Sequence, residues 1–446
     1  MNQASKTVSS KFPEVYIVHC VDAEGPLNET LCATFERLKY IFGIELEPNE
    51  MNFQKLVDGK IKSGNEFIDR QVAVTFSKEV LSYNRTWAEI EKMNSKLFSE
   101  AFRTSIIDSF QQPWKITWFC LDHINYVSNP RDKALGYSVV YNYYKNLLGT
   151  YPNYGDELQW HFHPKSITLN PIAAATSYQN SISEILETLT RKIVDDTWFP
   201  TAFRPGFHSE RQDSNLFLEQ WFPFDFGNQR YDAEDLLPDM KNGRFGNWVR
   251  APKTWRGYHP SVKNYDIEGE LRRKIFRCLN LGTRLRILGE RHIEEAFLEA
   301  ISTGDSVIAF TDHDFRDITQ DIEAFNKMLD VVKSKHPEVR VRFCSAEEAA
   351  QRITGELGYQ IELDIHLEGN QLKVKCIKGQ VFGSQPFLAI KSCDDFYFHD
   401  NFDFSRSESE WSYVFDDQTI QLSEVTTIGV AAAGKFGGTS VKILNI

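Results

Sequence analysis

Strand-like and helix-like segments alternate along most of this sequence, and that alternation restricts the possible folds more than any other feature. Short apolar runs such as VYIVHCVD (15–22) and LQWHFH (158–163) are followed by segments with the spacing of amphipathic helices. About seven such runs can be counted, the last being VRVRFC (339–344). Alternation of this kind is typical of a parallel sheet or barrel covered by helices. We therefore predict an α/β fold in which residues 1–355 form a (β/α) barrel.

Two parts of the chain depart from this alternation. Residues 26–110 are mostly helical and are long for a single connection, so we expect an insertion after the first strand. Beyond Gly355, short runs of alternating apolar and polar residues are separated by turn residues. That pattern is typical of all-β sandwiches, and it predicts a separate β-sandwich domain over 356–446.

Two helix starts carry the sequence pattern of a capping box. Thr86 is followed three residues later by Glu89, and Ser181 is followed in the same way by Glu184. In a capping box the hydroxyl and the carboxylate each accept a hydrogen bond from the other residue's backbone N–H. We therefore predict that helices begin directly after Thr86 and Ser181.

Composition narrows the classes of function. The 446 residues carry a formal net charge of −12, without a cluster of Lys and Arg, so we expect no nucleic-acid partner. The N-terminal segment lacks the apolar core of a signal peptide, and we expect no membrane span. The seven cysteines are scattered and odd in number, which argues against a disulfide framework. These features favour a cytoplasmic protein, and they predict no particular oligomeric state.

Ionisable residues follow nearly every predicted strand. In a parallel barrel, functional groups collect where the strands end, on the loops of the carboxyl-terminal face. We therefore predict a functional site there, with Asp122, His123 and Asp225 contacting the substrate or supporting the other site residues. The full set comprises Asp22, Glu24, Asp122, His123, His161, His163, Arg204, Asp225, Asp312, His313 and Asp314.

Two histidines near the end of one predicted strand have a geometry that suits a metal. His161 and His163 are two residues apart, so both point to the same side of an extended chain, and Asp22 and Glu24 share that spacing. Two imidazoles and a carboxylate, with one position left open, are typical of catalytic sites for zinc or a similar divalent ion. The alternative is that the histidines are hydrogen-bonded structural residues beneath a loop.

Four short motifs resemble a known family. VDAEGP (21–26), WHFHP (160–164), FRPGF (203–207) and TDHD (311–314), in that order, are similar to the motif series of NodB-homology polysaccharide deacetylases, carbohydrate esterase family 4 and its relatives. The resemblance spans roughly residues 12–355. It is closest to divergent members associated with surface-polysaccharide (O-antigen) biosynthesis. It implies a distorted (β/α)7 barrel, a metal bound by one carboxylate and two histidines, a carboxylate base oriented by an arginine, and a histidine acid.

The resemblance assigns roles to particular residues. Alignment on Gly25-Pro26 makes Glu24 the metal-binding carboxylate beside His161 and His163, and Asp22 the general base. Arg204 would orient the base, and His313 would be the general acid. The family has adjacent carboxylates before Gly-Pro and a histidine at the position of Lys165, whereas here Ala23 separates the two acids. The roles of Asp22 and Glu24 therefore remain exchangeable at this point.

Three functions follow from these observations. The first is a metal-dependent hydrolase that removes an N-acyl group, such as acetyl, from an amino sugar during surface-polysaccharide biosynthesis. The second is a metal-independent amidohydrolase that acts on a small non-sugar amide. The third is an inactive glycan-binding protein, in which the β-sandwich holds the carbohydrate.

Overall fold

Seven parallel strands form a closed barrel at the centre of the larger part of the molecule. The computed structural model describes residues 12–124, 136–169, 177–231, 245–283 and 285–446. The barrel strands are β1 (Glu14–Ala23), β2 (Ile116–Leu121), β3 (Glu157–Phe162), β4 (Ala202–Pro205), β5 (Phe224–Asn228), β8 (Lys274–Asn280) and β9 (Asp305–His313). Each strand pairs in parallel with the next, and β9 pairs with β1 to close the ring. The predicted barrel-like α/β fold is confirmed.

Helices connect and surround these strands, and five of them lie between β1 and β2. Those five are α1 (Leu31–Phe42), α2 (Glu50–Val57), α3 (Glu66–Thr75), α4 (Trp87–Leu97) and α5 (Glu100–Ser105). The helices that follow β2 are α6 (Val139–Thr150), α7 (Ile182–Val194), α8 (Gln212–Trp221), α9 (Glu290–Thr303), α10 (Ile318–Lys335) and α11 (Ala346–Thr354). A short antiparallel hairpin, β6 (Pro260–Ser261) and β7 (Asn264–Glu268), precedes β8.

The seventh strand of the barrel differs from the one expected. Closure uses β8, whereas the predicted strand at 339–344 is β10 (Arg340–Phe343), which pairs with β1 and lies outside the closed ring. The run KIFRCLN is not among the predicted strands, and Arg277 interrupts its apolar residues. In the structure Arg277 is buried, and its guanidinium carbon lies 4.4 Å from the ring centroid of Trp255.

One predicted capping box is confirmed and the other is wrong. At the start of α4, Thr86 accepts the N–H of Glu89, and the Glu89 carboxylate accepts the N–H of Thr86. At the start of α7, Ser181 makes no side-chain cap. The reason is that the Ser181 hydroxyl accepts the backbone N–H of Lys165 at 2.8 Å. The Glu184 carboxylate contacts the ammonium group of the same lysine.

Side chains alternate between the inside of the barrel and its helical cover. In β1, Tyr16, Val18 and Cys20 belong to an interior cluster with Phe119, Ala202, Phe226, Phe276 and Ala309, and small residues of α11 pack against it. Val15, Ile17 and Val21 belong to a second cluster with residues of the surrounding helices. Because strand residues alternate, Asp22 faces the inside with Cys20.

Eight antiparallel strands follow the barrel and form two four-stranded sheets. One sheet has the order β11-β12-β16-β15, and the other has the order β14-β13-β17-β18. The strands are β11 (Glu362–Glu368), β12 (Gln371–Lys378), β13 (Phe387–Ser392), β14 (Tyr397–Asp400), β15 (Phe404–Ser407), β16 (Glu410–Val414), β17 (Val425–Ala433) and β18 (Thr439–Asn445). Apolar residues of both sheets share one cluster.

The second sheet is also buried on its other face. Phe387, Ala389 and Ala431 pack with Leu189 and Ile193 of α7 in a cluster that includes barrel residues. The C-terminal sheets are therefore attached to the barrel through α7. The candidate functional site lies at the carboxyl-terminal ends of the barrel strands, and α11 lies at the opposite end of the barrel.

Candidate metal centre

Glu24, His161 and His163 form a compact group of potential metal ligands. Glu24 follows β1, His161 is in β3, and His163 follows β3. One ligand atom from each residue lies within 4.8 Å of the others. The Nε2 atoms of the two histidines are 2.9 Å apart, and they lie 3.7 Å and 3.3 Å from Glu24 Oε1. The spacing of two residues thus brings both imidazoles together, as the sequence predicts.

The hydrogen bond of His161 Nδ1 orients its second nitrogen toward His163 and Glu24. His161 Nδ1 lies 2.9 Å from the backbone carbonyl oxygen of Arg204, which can only accept a hydrogen bond. The proton of the neutral ring is therefore on Nδ1, and the lone pair of Nε2 points toward His163 and Glu24. Metal-binding histidines commonly have this second hydrogen bond, which fixes both the tautomer and the ring orientation.

The three distances fit one small divalent ion. Ligand atoms bound to a tetrahedral zinc ion at about 2.0–2.1 Å lie roughly 3.3 Å from one another. The distances of 2.9, 3.3 and 3.7 Å among the three ligand atoms bracket that value. Two neutral imidazole nitrogens at 2.9 Å repel each other unless a proton or a cation lies between them. Two nitrogens and one oxygen are one of the donor sets that bind divalent zinc in proteins.

A buried ion pair of Asp22 and Arg204 lies beside this group. Arg204 Nε donates to Asp22 Oδ1 at 2.6 Å, and Arg204 Nη2 donates to Asp22 Oδ2 at 3.0 Å. Burial raises the pKa of Asp22, but the positive charge of Arg204, with smaller effects of His161 and His313, outweighs it. The pKa of Asp22 is therefore held well below its ordinary value, and this carboxylate is ionised at neutral pH.

Arg204 is held on its other side as well. Its Nη1 donates to the carbonyl oxygen of Phe226 and to the sulfur of Cys278, which lies 3.0 Å away. His208 Nδ1 is 3.4 Å from Arg204 Nη2. Burial and the charge of Arg204 hold the pKa of His208 well below its ordinary value. Arg204 is therefore held in a fixed orientation, with two N–H groups of its guanidinium directed at Asp22.

His313 approaches Asp22 from the last barrel strand. In the register of β1 and β9, His313 is the partner of Asp22, and His313 Nε2 lies 3.9 Å from Asp22 Oδ2. The His313 side chain is 20% exposed and that of His163 is 18% exposed, whereas His161 is 2% exposed. A molecule that approaches from the solvent would therefore meet His163 and His313 before His161.

A strained turn after Arg204 supports His163. A Cβ atom on Gly206 would lie 2.6 Å from ring carbons of His163, so a side chain at that position would collide with the ring. The next residues, Phe207 and His208, have φ values of 54° and 48°, which side-chain-bearing residues rarely adopt. The ring of Phe207 packs edge-on against His163, with centroids 4.9 Å apart. Arg204-Pro205-Gly206 marks the position of this turn in the sequence but does not reveal its contact with His163.

Asp122 lies at a strand end but faces the helical cover of the barrel. Its carboxylate forms a buried ion pair with Lys192 Nζ at 2.8 Å and accepts the indole N–H of Trp160 at 3.1 Å. It also accepts the backbone N–H of Ser138. These contacts anchor α7 and the start of α6 to the barrel, so the role of Asp122 in the described contacts is to support the fold near the site.

Asp225 is the second residue of β5, not at a strand end as the sequence predicted, because β5 continues to Asn228, and it lies in a buried ion-pair cluster. Arg273 donates to Asp225 at 2.5 Å and also to Glu210 at 2.9 Å, so one guanidinium serves two buried carboxylates. The carbonyl oxygen of His123 accepts the N–H of Gly136. Contact of Asp122, His123 or Asp225 with a substrate stays a prediction.

The acids beside His313 are also engaged. Asp312 accepts a hydrogen bond from His19 Nε2 at 2.9 Å, and His19 Nδ1 accepts the indole N–H of Trp114. Asp314 accepts the backbone N–H groups of Glu24 and Gly25. The sequence places both acids at a strand end, but it does not reveal these partners because they are distant in the chain.

Comparison with known proteins gives no assignment. The chain matches no protein-family model, and no curated protein matches it at a significant level. Among the described helices, none has both the length and the apolar composition that a membrane crossing requires.

Proposed function

We propose that this protein is a metal-dependent hydrolase that removes an N-acyl group, such as acetyl, from an amino sugar during surface-polysaccharide biosynthesis. The observation that carries the proposal is the convergence of Glu24, His161 and His163 next to the Asp22–Arg204 pair. Zinc is the ion that the ligand set favours. The resemblance of the four motifs to NodB-homology deacetylases supports an amide of an amino sugar as the substrate.

The chemistry divides between the ion and the side chains around it. Glu24, His161 and His163 would hold a divalent ion, which would supply Lewis-acid chemistry: polarisation of an amide carbonyl and a lower pKa of water. Asp22 is ionised at neutral pH and accepts a proton from the attacking water. Because Arg204 stabilises the charged form, protonated Asp22 gives up this proton readily, and the proton returns to His313 once His313 has donated its own to the leaving nitrogen. His313, close to Asp22 and partly exposed, donates a proton to that nitrogen.

The finer features of the fold belong to the same proposal. A distorted (β/α)7 barrel is the architecture of the resembled family, and the closed ring of seven strands supports it. A β-sandwich is the proposed arrangement of the two C-terminal sheets, supported by their shared apolar cluster. Removal of an acyl group from a carbohydrate inside the cytoplasm would precede export of the polymer or of its precursor.

Metal analysis and acetate release test the proposal together. The purified protein is expected to carry about one equivalent of divalent metal, and to release acetate from an N-acetylated sugar nucleotide or oligosaccharide. The double variant His161→Ala/His163→Ala should lose the metal and the activity while retaining its far-ultraviolet circular dichroism.

The control replaces two histidines away from the site. His366→Ala/His399→Ala changes histidines of the C-terminal sheets and should leave the metal content unchanged. If the His161→Ala/His163→Ala protein still binds one equivalent of metal, the ion is held elsewhere. If the wild type releases acetate equally well without metal, the reaction is metal-independent. If it binds metal but releases no acyl group from any amino sugar, the enzymatic proposal is wrong.

A further inference from the structure

We propose that Asp314 is a positioning residue, which holds the backbone of Glu24 and Gly25 and thereby sets the metal affinity of the Glu24–His161–His163 site. Asp314 would not touch the ion, and it acts through Glu24. The inference rests on the metal site of the proposed function, and it does not depend on the reaction that the protein catalyses.

The carboxylate of Asp314 takes hydrogen bonds from the segment that carries Glu24. Oδ1 accepts the N–H of Glu24 at 2.8 Å, and Oδ2 accepts the N–H of Gly25 at 3.0 Å. Oδ2 also accepts the hydroxyl of Tyr144, in α6, at 2.9 Å. The side chain of Asp314 is buried, so these bonds are shielded from water.

Strand pairing alone does not fix Glu24. The ladder between β1 and β9 ends at Asp22, and the ladder between β1 and β2 ends at Ala23. The amides of Glu24 and Gly25 therefore lie beyond both ladders, and Gly25 has a φ of 75°, at which the chain leaves the strand direction. The Asp314 side chain replaces the missing strand partner at this point.

Asp314 is itself held by two other parts of the chain. Burial and the charge of Asp314 raise the pKa of Tyr144 well above its ordinary value, so that its hydroxyl remains a donor. Asn84, in the region between β1 and β2, donates through Nδ2 to the carbonyl oxygen of Asp314 at 2.9 Å and to that of Arg316 at 3.1 Å. A shift of Asp314 would therefore require several bonds to break together.

These hydrogen bonds also keep the carboxylate of Asp314 away from the proposed metal ion. Asp314 directs its oxygens at N–H and O–H donors, so its charge is compensated locally. Glu24 is then the carboxylate that points to the histidines. Residues that orient metal ligands in this indirect way typically change metal affinity by about 10–100-fold when they are replaced.

Cobalt titration of the metal-free protein tests the proposal. Asp314→Asn loses one acceptor oxygen, and we expect the Kd for Co²⁺ to rise by about 10–100-fold, with a changed visible absorption spectrum of the bound ion. Asp312→Asn is the matched control, since Asp312 is also a buried acid at the end of β9, but it bonds to His19. That control should lower thermal stability and leave the Co²⁺ affinity and spectrum unchanged.

A second variant keeps the test decisive if Asp314→Asn does not fold. Tyr144→Phe removes one donor and retains both backbone bonds, and we expect a smaller rise in Kd, by about two- to tenfold. The same Kd and spectrum as the wild type, in Asp314→Asn or, failing that, in Tyr144→Phe, would overturn the positioning role. A wild type without metal binding would overturn it together with the proposed function. Normal metal binding with these effects, but without acyl release, would leave the positioning role intact and reject only the proposed function.

Discussion

Asp22 and Asp225 are both buried in barrel strands and both face a buried arginine, but Asp22 is near the end of β1 whereas Asp225 is the second residue of β5. Asp22 has Arg204 to itself, through two hydrogen bonds of 2.6 and 3.0 Å. Asp225 shares Arg273 with a second carboxylate, Glu210. As a result the pKa of Asp22 lies well below its ordinary value, whereas burial and the charge of Glu210 raise the pKa of Asp225 well above its own.

The two acids also face opposite ways. Asp22 points into the barrel, toward His161 and His313, while Asp225 points outward, away from its inward neighbours Phe224 and Phe226. Of these two acids, Asp22 is therefore the one that faces the interior of the barrel and has a cation that no second carboxylate shares. Asp225, on the outer face and nearer the start of its strand, instead belongs to a buried ion-pair cluster within the fold.

The largest expected effect is a difference in activity between variants of Asp22 and Asp225. Asp22→Asn retains the size of the side chain but cannot accept a proton, so we expect kcat to fall by about 10²–10⁴-fold with the metal retained. Asp225→Asn is the matched change on the outer face, and it should leave kcat of the folded protein unchanged. Steady-state acetate release and metal content measure both. Full activity of Asp22→Asn would remove the contrast. Loss of metal in that variant, with Glu24→Gln retaining it, would reverse the roles of the two acids.

Substitutions in the cluster of Asp225, Arg273 and Glu210 should change the stability of the protein rather than its activity. Arg273→Met leaves Asp225 and Glu210 buried without their shared cation, and removal of one partner from a buried ion pair commonly costs about 3–5 kcal/mol. We expect the free energy of unfolding, measured with urea, to fall by that amount, with the metal affinity of the folded fraction unchanged. A loss of metal affinity that exceeds the loss of stability would connect this cluster to the site.

A buried histidine, His399, should make the stability of the protein depend on pH. His399, in β14, packs against Phe387 with ring centroids 3.9 Å apart, and burial lowers its pKa to about 4. The unfolded state, with a pKa near 6.5, takes up the proton first as the pH falls. The stabilisation is thus complete above about pH 6.5 and is lost toward pH 4, by at most about 3 kcal/mol.

The measurement is urea unfolding at several pH values. The wild type should lose stability between about pH 6.5 and 4, and His399→Phe should have a smaller slope over the same interval. Equal slopes for the two proteins would show that His399 is not the group responsible.

The smallest expected effect concerns the glycine beneath His163. Gly206→Ala adds a methyl group that overlaps the His163 ring, so we expect the Kd for Co²⁺ to rise by about tenfold. Gly149→Ala is the control, because a Cβ there meets no atom within 4 Å. An unchanged Kd in Gly206→Ala would mean that the ring can move without loss of binding.

Much of the candidate site inside the barrel could be predicted from the sequence because it depends on the local spacing of residues. The spacing of two residues between His161 and His163, and the position of Arg204 and His313 at strand ends, are read directly from the chain. The inward or outward direction of Asp122 and Asp225 could not be read in the same way. Barrel strands are buried on both faces, so both alternating sets are apolar and neither is marked as the interior.

Other features depend on partners far away in the chain. The strand β8 contains Arg277, whose burial beside Trp255 is a tertiary effect that no local pattern indicates. The role of Asp314 rests on hydrogen bonds to Glu24 and Tyr144, from distant elements of the fold. Ser181 forms no capping box because the backbone of Lys165 competes for its hydroxyl.

The pairing of β1 with β9 has a consequence for the biosynthesis of the protein. The hydrogen bond from Glu24 to Asp314 joins residues 290 positions apart. At about 5–20 residues per second, a ribosome needs roughly 15–60 s to make the intervening chain. During that time the first strand has an open edge, which is the kind of segment that aggregates unless it is protected. Asp314, which holds the segment of Glu24, is made only after β9, so we expect the proposed site to acquire metal late, when the barrel has closed.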